Sequence, residues 1–157
     1  MSKTSDSPRE PHRIAGYAVS LAAFSTLWGG GSWLISGSRR TWPNRYAAAD
    51  LVVGALATHK LTRIIAKEGV TTPLRAPFTE FDGEAGSAEV HESPRHGAVH
   101  SLGELISCPF CLAPWVATAY VAGLVLAPGP TRAFGAAFAT VAGSDALQHA
   151  YAAVSSG

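Results

Sequence analysis

The chain has 157 residues, of which 47% are hydrophobic and only 15% charged, with a formal net charge of +1. That is one domain's worth of residues and falls short of the roughly 25% charged share of an ordinary soluble domain. It offers neither the basic stripe that nucleic acid demands nor an acidic field for steering cations, which excludes nucleic acid as a partner class. Both cysteines sit in one string, Cys108-Pro109-Phe110-Cys111, so the distributed disulfide framework of small secreted domains is excluded too.

Residues 1–13 are polar, with Lys3, Arg9 and Arg13 among serines and prolines, and read as a disordered leader. Ile14 to Ile35 follows without a charge and is long enough to cross a hydrocarbon core of ~30 Å. A secretion signal is the competing reading, but the run exceeds a usual apolar signal core. Gly29-Gly30-Gly31 is expected to weaken the last turns of this helix, while Trp28 and Trp33 suit an interfacial belt.

Ser36 to Arg45 reads as a turn carrying Arg39 and Arg40. Residues 46–67 form the second expected span, with Asp50 near its start and His59, Lys60, Arg63 and Lys67 at its end. His59, Arg63 and Lys67 recur every four residues and share one helical stripe. A spanning helix with a snorkelling cationic end is preferred here to a helix lying in the interface plane.

Residues 68–108 are expected to form one long, partly ordered polar loop, because Pro73, Pro77 and Pro94 prevent long helices and Glu80, Asp82, Glu84, Glu89 and Glu92 make its middle acidic. Within it Thr71 to Phe78 reads as an extended docking or re-entrant segment anchored by Leu74 and Phe78. His100 to Ser107 reads as a short amphipathic helix, since Leu102, Leu105 and Ile106 share a face. The third span covers 109–127 and the fourth 132–154, separated by a turn at Pro128-Gly129-Pro130. Asp145, Gln148 and His149 interrupt the fourth, and its alanines with Gly135 and Gly143 permit close helix contact.

From Asp50 to Tyr151 the chain resembles an uncharacterised family of bacterial membrane proteins, domain of unknown function 1360. Several phrases carry the resemblance: Asp50-Leu51 with Ala57-Thr58-His59-Lys60-Leu61 and Arg63; Thr72-Pro73-Leu74-Arg75-Ala76-Pro77-Phe78-Thr79; His100 with Gly103-Glu104-Leu105; Cys108-Pro109-Phe110-Cys111 with Trp115; and Gly143-Ser144-Asp145. The resemblance implies a membrane location and no particular reaction.

Chemistry concentrates in the two cysteines. Pro109 stands where proline best opens a helix, which makes Cys108 the N-cap. A thiol there feels the positive end of the helix dipole, and a C-x-x-C spacing lets Cys111 resolve a mixed disulfide, the dithiol redox reading. His100 would then stand nearby as a base or charge stabiliser. In the zinc reading the same pair supplies two thiolates, and His100 and Glu104 complete the set. Intervals of four, four and three spread those groups along one helix, so this reading requires a bend at Cys108-Pro109, or His91 or His96 as a substitute ligand. In the plainest reading both thiols are small buried hydrophobes. Asp50, His59, Arg63 and Asp145 are costly on spanning helices unless paired. Asp50 with Arg132, and Asp145 with Lys60 or Arg63, are the expected partners, with an ion pathway as the alternative.

The sequence therefore reads as an all-α, multi-pass transmembrane bundle of about four helices, a single membrane domain over 14–154 in a bacterial inner membrane. Six basic residues in the leader and long loop against four on the other face favour cytoplasmic termini. Its role reads as structural or partner-binding, more plausibly without enzymatic activity. The lipid bilayer, a protein or a second copy are its partners, and no cofactor is expected apart from zinc.

Overall fold

The computed structural model describes residues 11–37, 42–86, 88–97 and 99–155. The leader expected over 1–13 lies mostly outside the described residues, as do Arg39 and Arg40. Helices dominate: α1 (Pro11–Gly37), α2 (Ala48–Lys67), α3 (Thr72–Arg75), α4 (His100–Ser107), α5 (Pro109–Leu126) and α6 (Pro128–Ser155). One element departs from the all-α expectation. Strands β1 (Thr79–Gly86) and β2 (Glu89–Pro94) pair antiparallel as a two-stranded hairpin inside the segment read as a loop.

The long helices differ from the sequence reading at their ends. α1 runs without a break through Gly29-Gly30-Gly31 to Gly37, so the glycines do not end it. Pro128-Gly129-Pro130 forms the first turn of α6 rather than a separate turn, because proline fits the first helical positions, where the missing N–H would have no partner. The chain reverses at Ala127 alone, whose N–H donates to the Gly123 carbonyl at 2.8 Å.

At ~1.5 Å per residue, α1, α2, α5 and α6 are about 40, 30, 27 and 42 Å long. Within α1 (as Ile14–Gly37) and in α5, the helix is long and apolar enough to cross a membrane. α2 packs against both α5 and α6, while α1 lies alongside α4 and sets its Phe24 edge-to-face on Trp115 of α5 at 5.1 Å. At the heart of the α2–α5–α6 contact stands Tyr120, whose hydroxyl donates to the Asp50 carbonyl at 3.1 Å. Its ring is flanked by Gly54 of α2 and Gly135 of α6, and a side chain at either would collide with it.

The described residues of 68–107 form a structured polar layer at the end of the bundle where α2 stops and α5 starts. Pro73 opens a one-turn helix in place of the expected extended path, and Leu74, expected to anchor, is exposed. The hairpin carries two register irregularities, near Gly83 and Gly86, and Ala88 adopts a positive φ of 67° at its tip. Its base closes where the Arg95 N–H donates to the Phe78 carbonyl at 2.9 Å. Its tip reaches back to the end of α2 through Gly69 N–H to the Ala88 carbonyl at 2.8 Å.

The layer is centred on a buried ion pair. Arg75 is 1% exposed and Glu92 3%, joined through Nε to Oε2 and Nη2 to Oε1, both at 2.8 Å. The rest of the guanidinium donates to the Ile65 carbonyl at 2.6 Å, the Glu68 carbonyl at 3.1 Å and the Thr71 hydroxyl at 2.5 Å. Glu92 also accepts from Thr72 and Thr79 at 3.0 and 2.7 Å. Burial alone would raise the Glu92 carboxyl, but hydrogen bonds from Arg75, Thr79 and Thr72 and the Arg75 charge outweigh it and hold it below the ordinary carboxylate range. Among the described residues no buried side-chain N or O lacks a hydrogen-bond partner.

Candidate functional site

Cys108 is the hinge between α4 and α5 and caps the latter, with an extended backbone at φ −112° and ψ 109°. Proline at the next position fixes where α5 begins, and Cys111 follows within its first turn. Both cysteines are free thiols, Cys108 half-buried and Cys111 exposed. The Cys111 N–H donates to the Cys108 sulfur at 3.3 Å, and the two sulfurs stand 2.8 Å apart with Cys111 as donor. Phe110 between them projects outward, 88% exposed.

His100 and Glu104 occupy α4 just upstream. The His100 ring lies 3.3 Å from Glu104 through Nε2, while its Nδ1 lies 3.2 Å from the Arg95 carbonyl. Glu104 also accepts from the Tyr17 hydroxyl, which ties α4 to α1. His96 stacks on His100 with ring centroids 6.2 Å apart, and His91 faces solvent on β2. The chain does bend at Cys108, as a zinc site would need. Even so, among the described residues no three His, Cys, Asp or Glu side chains come together to hold a metal ion.

A second polar region lies where α2, α6 and the hairpin tip meet. It is an open cleft of about 810 Å³ lined by His59, Lys60 and Arg63 of α2, Asp145, Gln148 and His149 of α6, and Glu68 and Glu89 of the layer. Lys60 bridges Asp145 at 2.9 Å and Glu68 at 2.5 Å, so one ammonium joins α2, α6 and the layer. Arg63 pairs with Glu89 on the hairpin. At the opposite end of the bundle Arg132 grips Asp50 through two hydrogen bonds of 2.9 and 2.8 Å.

Asp50, Arg63 and Asp145 thus all have ionic partners. Sequence reasoning named Arg132 for Asp50 and either Lys60 or Arg63 for Asp145; Lys60 takes that place, and Arg63 pairs instead with Glu89, which was missed. Arg75, Glu68 and Glu92 were missed as a set. The available signal was a lone arginine between two prolines facing a run of acids, which charge spacing alone cannot align across 17 residues.

No curated protein and no solved structure matches the chain. The family described as "Protein of unknown function (DUF1360)" matches residues 53–151, which takes in most of α2, the polar layer, the cysteine pair with α5, and most of α6. The chain therefore belongs to that family.

Proposed function

We propose that this chain is a multi-pass protein of a bacterial inner membrane, in which α1, α2, α5 and α6 cross the bilayer and the polar layer offers a fixed surface to a protein partner. The observation that carries this reading is where the apolar side chains are. In the most apolar windows of α1 and α5 only 6% and 11% of residues are buried. Val19, Leu21, Leu27, Trp33 and Leu34 of α1 face outward, as do Leu51, Val52 and Leu56 of α2 and Phe134 and Leu147 of α6. A soluble bundle would turn such residues inward, since contiguous exposed apolar surface of this extent is rare in water. Hydrocarbon is the solvent that suits it.

The two helices with charged ends fit the same placement. Lys60 pairs with Asp145 while also reaching Glu68, and Asp50 pairs with Arg132 near the opposite boundary, which lowers the cost of these charges in or near lipid. Val70 directly after α2 and Phe110 at the start of α5 are exposed apolar residues at the level where chain meets boundary. Four crossings place both termini and the layer on one face, and the basic residues there favour the cytoplasm. The layer supports a docking role because Arg75–Glu92 fixes it internally and Lys60–Glu68 and Arg63–Glu89 fix it to the bundle.

Alkaline carbonate extraction of membranes from expressing cells tests the placement. The protein is expected to stay in the pellet and to be released only by detergent; recovery as a monomer in the carbonate wash refutes it.

A further inference from the structure

We propose that Cys108 and Cys111 are a thiol–disulfide exchange site that opens to water at the edge of the polar layer and takes protein or peptide disulfides as its substrate class. Three observations assign it. The sulfurs are 2.8 Å apart, against about 2.05 Å for a disulfide bond, so closing the bond needs little backbone movement. Their roles are unequal, because Cys108 is the N-cap of α5 and its sulfur accepts a hydrogen bond from the Cys111 backbone N–H at 3.3 Å, placing it at the positive end of the helix. Cys108 is therefore the attacking sulfur and Cys111, exposed beside it, the resolving one.

The third observation concerns access. Apolar grooves flank α5 on both sides, one against α1 holding Trp28, Trp42 and Trp115, the other against α2 holding Pro109, Phe110 and Tyr120. Neither cysteine lines either groove. The α2-side lining ends at Pro109 and Phe110 without including either cysteine, whereas Cys111 and the protruding Phe110 are exposed to an approaching polypeptide.

The exchange balances without a further reactant. The Cys108 thiolate attacks one sulfur of the partner disulfide, forming a mixed disulfide and expelling the partner's other sulfur as a thiolate that takes up a proton. Cys111 then loses its proton to water and attacks Cys108, expelling the remaining partner sulfur. The pair is oxidised to an internal disulfide, and the partner disulfide is reduced to two thiols.

The test uses the reduced full-length protein in detergent micelles, with oxidised glutathione as probe and intact-mass spectrometry as readout. Wild type is expected to lose two hydrogens and to retain no glutathione. Cys111→Ser is expected to retain one glutathione on Cys108, and Cys108→Ser to react about tenfold more slowly or less. The proposal is overturned if wild type holds glutathione without closing an internal disulfide, if Cys108→Ser reacts as fast as Cys111→Ser, or if neither thiol reacts. It is equally overturned if bound zinc blocks both thiols until a chelator is added, or if a short-chain quinone in the same micelles oxidises the pair faster than glutathione disulfide does.

Discussion

The bundle and the polar layer are held together by opposite means. In the bundle, helices meet through small residues, with Tyr120 between Gly54 and Gly135, and large apolar side chains point outward. In the layer, the most buried side chain is a charged one, Arg75, held by a saturated set of hydrogen bonds. The difference follows from the solvent each region meets on the proposed placement. Between helices in hydrocarbon there is no hydrophobic drive, so close backbone approach and a few polar contacts do the joining. A hairpin of 14 strand residues carrying five carboxylates has too little apolar surface to fold on its own, so a buried, fully satisfied ion pair determines its position.

Breaking the layer's clasp should have the largest effect. Arg75→Met leaves Glu92 buried without its partner, which costs about 3–5 kcal/mol. Amide hydrogen exchange should show protection lost over residues 79–94 and retained in α5 and α6; equal loss in both regions would make the clasp part of one cooperative core. Acid should reach the same clasp more gently. Because the folded-state carboxyl of Glu92 lies below its unfolded value, its contribution is present above the ordinary carboxylate range and disappears as pH falls through the folded value. Exchange in the hairpin is therefore expected to rise with acid before exchange in the helices does, and simultaneous melting would count against it.

The bundle's close packing is the next test in size. Gly135→Leu places a side chain against the Tyr120 ring and should cost about 1–3 kcal/mol, read as a lower unfolding midpoint in micelles with the hairpin's exchange unchanged. The smallest effect is expected from Asp50→Asn. Its Arg132 partner is more than half exposed, so the midpoint should move less than for either other variant. A larger shift would place that pair deeper in the molecule than its exposure shows.

Sequence alone made some of this legible, and the reasons are physical. The uncharged runs of α1 and α5 disclose helix length and apolar character together, and Pro109 marks both the start of α5 and Cys108 as its cap. The cost of a lone charge on an apolar helix was enough to name Arg132 for Asp50 and to narrow the partner of Asp145 to Lys60 or Arg63, of which Lys60 is the one found. Leu102, Leu105 and Ile106 disclosed α4 by their spacing. The hairpin was not legible, because Glu80, Asp82 and Glu84 on β1 give no alternating apolar pattern and Gly83 and Gly86 interrupt its register. What makes those strands is Glu92 meeting Arg75, a long-range pairing that no local window contains. For the same reason Pro73 read as extended, while its place opening a one-turn helix presents Arg75 to Glu92.

The central claim is the fourfold crossing, and single-cysteine accessibility tests it most directly. With Cys108 and Cys111 both replaced by serine, a reporter cysteine is placed in turn at Asn44, Gly129, Glu84 and Ser155. Each is labelled in sealed vesicles with a membrane-impermeant maleimide. The account predicts that Asn44 and Gly129 label from one face and Glu84 and Ser155 from the other. Labelling of Asn44 and Glu84 from the same face, or of all four alike, would contradict it.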